Sequence, residues 1–241
     1  MTVDPPAGPA ADLAGDPAAD PAGHAPDPAV VDLFGALAYG ELTAFYRLAA
    51  DAELAPTLET KAALARMAVV EFGHFERIRE RLEALGADPE AAMQPFVTPF
   101  DAFHERTAPS DWLEGLVKAY VGDGIAGDFY REIAALLDPQ SQTLVNGVLA
   151  DAGQAEFIVT TVRTAIEQNP RLSGRLALWA RRLVGEALSQ GQRVAADRDA
   201  LIVLMVGTGE APGADLAEIT RMFSRLTDSH TRRMSRLGLS G

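Results

Sequence analysis

The chain has 241 residues, 48% of them hydrophobic, which is enough for one large or two small domains with a buried core. It contains no cysteine, which excludes disulfides, thiolate metal sites and cysteine nucleophiles. A formal net charge of -13 argues against nonspecific nucleic-acid binding by the molecule as a whole.

Residues 1–28 hold seven of the fifteen prolines and five aspartates, with no lysine or arginine. That composition predicts a disordered acidic tail, because too little apolar surface is available to offset ordering entropy. The start lacks a basic stretch leading into an apolar run, so no secretory signal is expected. No run of ~18 apolar residues predicts a spanning helix, and a cytoplasmic location is expected.

From Ala29 the apolar period is near 3.6, and no strand pattern is found. The first predicted helix, Ala29 to Leu54, aligns Phe34, Leu37, Glu41, Phe45 and Leu48. The second, Thr57 to Leu85, aligns Leu64, Met67, Glu71, Ile78 and Leu82 across the tight Ala55-Pro56 link. Residues 86–109 carry five of Gly86, Pro89, Pro95, Pro99 and Pro109 type breakers and read as a long connection, packed down by Phe96, Phe100 and Phe103. Ser110-Asp111 caps a third helix to Leu137, and Asp138-Pro139 opens a fourth to Gln168. Asn169-Pro170 starts a fifth through Val206, and a sixth runs from Ala214 to Leu237. Two antiparallel hairpins joined by one long crossover form a four-helix bundle over 29–168, with 169–241 as added C-terminal helices packed on it.

Acidic residues interrupt the apolar stripes of this bundle. Glu41 and Glu71 each lie fifteen residues from Pro56, so at ~1.5 Å per residue they share a height, with His74 one turn beyond Glu71. A Glu facing a Glu-x-x-His is half of a bundle-core dimetal site. On the fourth helix Asp151 follows Leu144 and Val148, but Gln154 stands where a second histidine would complete the pattern. The third helix offers Asp123, in line with Leu113, Leu116, Tyr120, Gly127 and Tyr130, and Asp128, whose height about Pro139 matches that of Asp151. Glutamine offers a neutral oxygen where imidazole would offer nitrogen, a weaker donor to iron.

The segments YGELTAFYRLA, EFGHFERI, AYVGDGIAGDFYREIA and VLADAGQAEF, within Asp32 to Glu167, resemble the ferritin-like superfamily. More closely, they resemble a bacterial family similar to the tRNA hydroxylase acting on 2-methylthio-isopentenyladenosine. The resemblance implies an all-α ferritin-like fold and a carboxylate-bridged di-iron centre that activates dioxygen. It places Glu41, Glu71, His74, Asp123 and Asp151 on ligand positions, Gln154 at the second histidine position, and Asp128 at another acid of the same helix. With Gln154 and two short aspartates, weakened, single-metal or absent iron binding is expected more readily than a robust di-iron centre. The alternative is a metal-free helical scaffold. Leu176, Trp179, Leu183 and Leu188 of the fifth helix suggest packing on the bundle or a homodimer. Arg221, Arg225, Arg232, Arg233 and Arg236 make the last helix locally basic, as a solvated face or a phosphate-contacting patch for tRNA.

Overall fold

The computed structural model of the protein describes residues 26–150, 154–201 and 216–239. The elements are α1 (Pro28–Asp51), a 3-10 turn (Ala52–Leu54), α2 (Leu58–Ala84), α3 (Pro89–Arg106), α4 (Trp112–Ala134), α5 (Pro139–Val148), α6 (Gln154–Gln168), α7 (Arg171–Asp197) and α8 (Leu216–Arg236). Among the described residues there is no strand, and no helix is long and apolar enough to cross a membrane. The expected tail lies almost wholly outside the described residues.

Local side-chain caps start the helices, at Asp111 and Asp138 as the sequence predicts and at Asp27 and Asp88 besides. Asp27, Asp88, Asp111 and Asp138 each accept a hydrogen bond from a backbone N–H in the first turn that follows, and three of these helices open on proline. Thr57 and Thr60 form a reciprocal capping box at the start of α2, with bonds of 3.1 and 3.2 Å.

The bundle is α1 and α2, paired along their length, with α4 and the α5–α6 pair opposite. The crossover is itself helical, which corrects the expectation of an irregular connection over 86–109. Pro95 and Pro99 lie inside α3 four residues apart, so the amide hydrogen bonds they omit fall on one side. Ala91 and Pro95, whose carbonyls lose those partners, are exposed to water, while Ala92 and Phe96 on the other side are buried. Ala92 packs so closely against Gly35 of α1 that a Cβ at Gly35 would lie 2.1 Å from the Ala92 carbonyl oxygen.

Two further boundaries differ from expectation. The predicted fourth helix is broken: α5 ends at Val148, and the Leu149 carbonyl accepts from Arg131 of α4 instead of continuing a helical ladder. The fifth ends at Asp197, not Val206. Arg198 leaves helical geometry there, and its guanidinium makes a two-pronged contact with the buried Asp32 of α1, with Nε at 2.9 Å. A carboxylate as buried as Asp32 needs such a partner.

The C-terminal helices dock on α4. Trp179 donates to the Glu114 carbonyl at 2.9 Å and Arg175 reaches the Glu114 carboxylate at 2.8 Å, while Leu176 and Leu183 are buried beside them. Leu188 is exposed. Arg225 grips Glu132 at 2.6 and 2.8 Å, Arg233 pairs with Asp128, and Arg236 meets Glu156 at 3.1 Å. Much of the basic character of α8 is therefore used to hold that helix against the bundle.

The buried apolar residues form two clusters. One gathers Leu48, Leu64, Met67, Ala68, Tyr120, Val121 and Ile158 with α7 and the end of α8. The other gathers Phe34, Leu37, Ala38, Phe75, Ile78, Tyr130, Ile133 and Val148 with α3. On α1, Glu41 falls between Ala38 and Leu48; on α2, Glu71 falls between Ala68 and Phe75.

Gly35→Ala is expected to separate α1 from α3 and lower stability by about 1–3 kcal/mol, the usual cost of overpacking. Gly174→Ala, where a Cβ meets nothing within 4 Å, should instead gain up to about 1 kcal/mol from helix propensity. Urea unfolding of the two variants checks both signs.

Candidate metal centre

The tight α1–α2 hairpin brings Glu41 and Glu71 to one height, as their equal distance from Pro56 requires. Both are buried, at 8% exposure, and His74 is half-buried one turn along α2. His74 Nδ1 lies 3.4 Å from Oε2 of Glu41 and 3.4 Å from Oε2 of Glu71. One ligand atom from each of the three residues falls within 4.8 Å of the others.

Burial pushes the Glu41 carboxyl up to about 8, reinforced by the hydrogen bond and charge of Glu71 and opposed by His74. The two carboxylates hold the His74 imidazole up at about 9 through hydrogen bonds that outweigh its burial. Burial acts to raise Glu71 as well, but hydrogen bonds with His74 and Glu41 prevail and leave it below the usual carboxylate range. At neutral pH and without metal, these directions favour an imidazolium with one proton retained between the two carboxyls. The charges balance, which is how such groups are tolerated between two apolar clusters.

Asp123 on α4 belongs to the same electrostatic group. Its own surface is accessible, yet desolvation by the surrounding protein raises its carboxyl well above the usual range, and the charges of Glu71 and Glu41 add to this. Tyr130, two turns further along the same face of α4, is buried, and its phenol is raised by burial and by the Glu41 charge. Asp128, the alternative acid, is held elsewhere by Arg233 and by Arg131, the latter at 3.3 Å. Asp151 lies outside the described residues. Gln154 begins α6, and its side chain is also outside the description.

A second polar group escaped the sequence reading. Lys118 of α4 is buried, donates to the Thr107 carbonyl at 2.8 Å and lies 5.5 Å over the Phe103 ring; burial brings its ammonium down to about 8. Beside it, the Thr43 hydroxyl donates to Gly40, so its oxygen accepts from Nε2 of His104 at 3.3 Å. Burial pushes this imidazole down to about 3, so it stays neutral. The signal for Lys118 was the second apolar face of α4, which the periodicity of one face conceals.

The donor set fits a metal. Two carboxylates and an imidazole within bonding reach of one point suit a single divalent first-row transition ion, with nitrogen favouring iron or zinc over magnesium or calcium. Asp123 is not among the three residues whose ligand atoms converge.

A family model described as a ferritin-like domain of actinomycetes matches residues 25–208, and the chain belongs to that family. No curated protein matches the chain.

Two outcomes follow for the metal-free protein. His74 and Glu41 both have folded-state pKa values above their unfolded ones, so the folded state binds more protons. Their stabilising contribution is present at pH values below ordinary carboxylate and imidazole pKa values. It is lost as pH rises through about 8 and then 9. Unfolding free energy measured from pH 6 to 9 should therefore decline. Glu41→Leu, which joins the two apolar clusters while leaving the Glu71–His74 pair, is expected to stabilise the metal-free fold by about 1–2 kcal/mol and flatten that decline.

Proposed function

Proceeding from membership of the ferritin-like family, we propose that this protein is a metal-dependent oxidase or hydroxylase whose metal is held chiefly by Glu41, Glu71 and His74. The observation that carries this reading is the convergence of those three donors within 4.8 Å in the middle of a bundle core. Bound iron would supply one-electron redox chemistry toward dioxygen. By the sequence resemblance, Asp123 and Asp151 would supply further carboxylates from the opposite hairpin, with Gln154 in the place of a second histidine.

The chain's own contribution is positioning and exclusion. Phe45, Phe72 and Phe75 form a run of rings with centroids 5.3 and 5.6 Å apart along the two helices that carry Glu41, Glu71 and His74. Phe75 is buried and limits water beside His74, its neighbour in the chain, whereas Phe72 lies at the surface of α2. Tyr130, buried near Glu41 with its phenol kept protonated, can donate a hydrogen bond to a group held there. An RNA substrate draws no support from α8, where Arg225, Arg233 and Arg236 are paired with acids of the bundle.

The second reading, a metal-free scaffold, is favoured by one observation: His74 lies 3.4 Å from both glutamates, where an imidazolium offsets carboxylate charge without a metal. The two readings differ in stoichiometry. Metal titration of the purified chain with Fe(II) under anaerobic conditions, or Co(II) followed by absorbance, should show one tightly held ion per chain. His74→Ala and Glu71→Ala should each weaken it at least about tenfold. Binding should release protons at pH 7, because His74 and Glu41 must give theirs up, so affinity should rise with pH up to about 9. Gln154→His is expected to add affinity for a second ion without changing the first. No binding in any of these variants would leave the scaffold reading.

A further inference from the structure

The outer surface of α2 carries a second pattern that the bundle core does not use. Leu58, Ala62, Ala65, Val69 and Phe72 are all exposed, and they recur at intervals of four, three, four and three residues. The residues that α2 buries in the core, Leu64, Met67, Ala68, Glu71 and Phe75, lie on the other side of the helix. An interval averaging 3.5 residues is the spacing of a helix–helix seam. Exposure is high at the large members, 85% for Leu58, 68% for Val69 and 40% for Phe72. Tyr46 and Leu54 of the same hairpin are also exposed, so five of the nine exposed large apolar side chains among the described residues sit on α1–α2 and its turn. The two alanines at the middle of the stripe leave room for close approach of another helix.

We propose that this stripe is the docking surface for a second copy of the chain, with the two α2 helices antiparallel about a two-fold axis between Ala62 and Ala65. That register sets Ala62 opposite the partner's Ala65 and Leu58 opposite the partner's Val69. Phe72 then falls beside the partner's Leu54 turn, which covers its open face. The charged flank selects a second copy over other occupants. Glu59 and Arg66 edge the stripe seven residues apart, both are exposed, and neither has an ion pair or side-chain hydrogen bond among the described residues. In the antiparallel register each Glu59 meets the partner's Arg66, twice by symmetry. Elsewhere a chain of net charge -13 repels its own copy, whereas this edge is balanced and self-complementary.

The seam spans about 21 Å at ~1.5 Å per residue. With Tyr46 and Leu54 at its ends, it makes a modest interface and a dimer in the micromolar range. The inference is independent of metal binding, since none of the three donors belongs to the seam.

Sedimentation of the full chain between about 1 and 100 µM should show a monomer–dimer equilibrium. Val69→Glu should shift it toward monomer by at least about tenfold in dissociation constant. Because Val69 is exposed, its helical circular dichroism should match that of the unaltered chain. Glu59→Arg and Arg66→Glu should each weaken the dimer, and the double exchange should restore it. The chain has no cysteine of its own, so Leu58→Cys with Val69→Cys reports the register directly: mild oxidation should give a covalent dimer. Either cysteine alone should not, because identical positions lie about 16 Å apart along the seam. A chain that stays monomeric throughout that range, a dimer indifferent to Val69→Glu, or equal cross-linking by the single cysteines would overturn the proposal.

Discussion

Everything in this fold is arranged around a charged layer inside an apolar bundle. Glu41 and Glu71 divide what would be one continuous core into two clusters, one toward the α1–α2 turn and one toward α3 and α5. Carboxylates at such positions cost several kcal/mol unless neutralised, so the layer constrains each helix that borders it. The solution visible in the geometry is His74 shared between two glutamates, 3.4 Å from each. The same arrangement is a ligand set, and a metal ion would replace two protons with a charge better suited to the site.

The pieces outside the bundle hold that layer at fixed height. Arg198 on Asp32 pins the start of α1, and Glu114 with Arg175 and Trp179 pins α7 to the start of α4. Arg233 on Asp128 and the Gly124 carbonyl ties α8 to the turn of α4 just beyond Asp123. These contacts explain two features that otherwise resemble functional signals. Asp128 is an acid near the site but serves as an anchor for α8, and the basic residues of α8 are largely the other half of such anchors. Charge clusters in an acidic helical protein are thus divided between one site and several docking points, and partner identity separates them.

The α1–α2 hairpin was legible because its information is local. Equal distances from one proline and a 3.6-residue period suffice to put Glu41 opposite Glu71 and His74, and the structure has that cluster. The hairpin also presents the outward stripe of α2, which the same periodicity analysis passes over, since one helix can carry two apolar faces and only one is needed for a core. On the other hairpin the period failed. Continuing it through residues 149–150 assumes an unbroken ladder, whereas Arg131 takes the Leu149 carbonyl and ends α5. The crossover failed for the opposite reason. Proline argues against a helix, yet Pro95 and Pro99 fall on a wet side and burial of Ala92 and Phe96 holds α3 together.

The sequence by itself determined an all-helical chain, the caps at Asp111 and Asp138, and the half-site on α1 and α2, because caps, turns and periodicity act over a few residues. Only the tertiary structure decided that Asp128 belongs to Arg233, that Lys118 is buried with His104 half-buried, and that the crossover is a helix. Each of these depends on contacts between residues far apart in the chain, such as the 105 positions separating Asp128 from Arg233, and no local pattern encodes a partner at that distance.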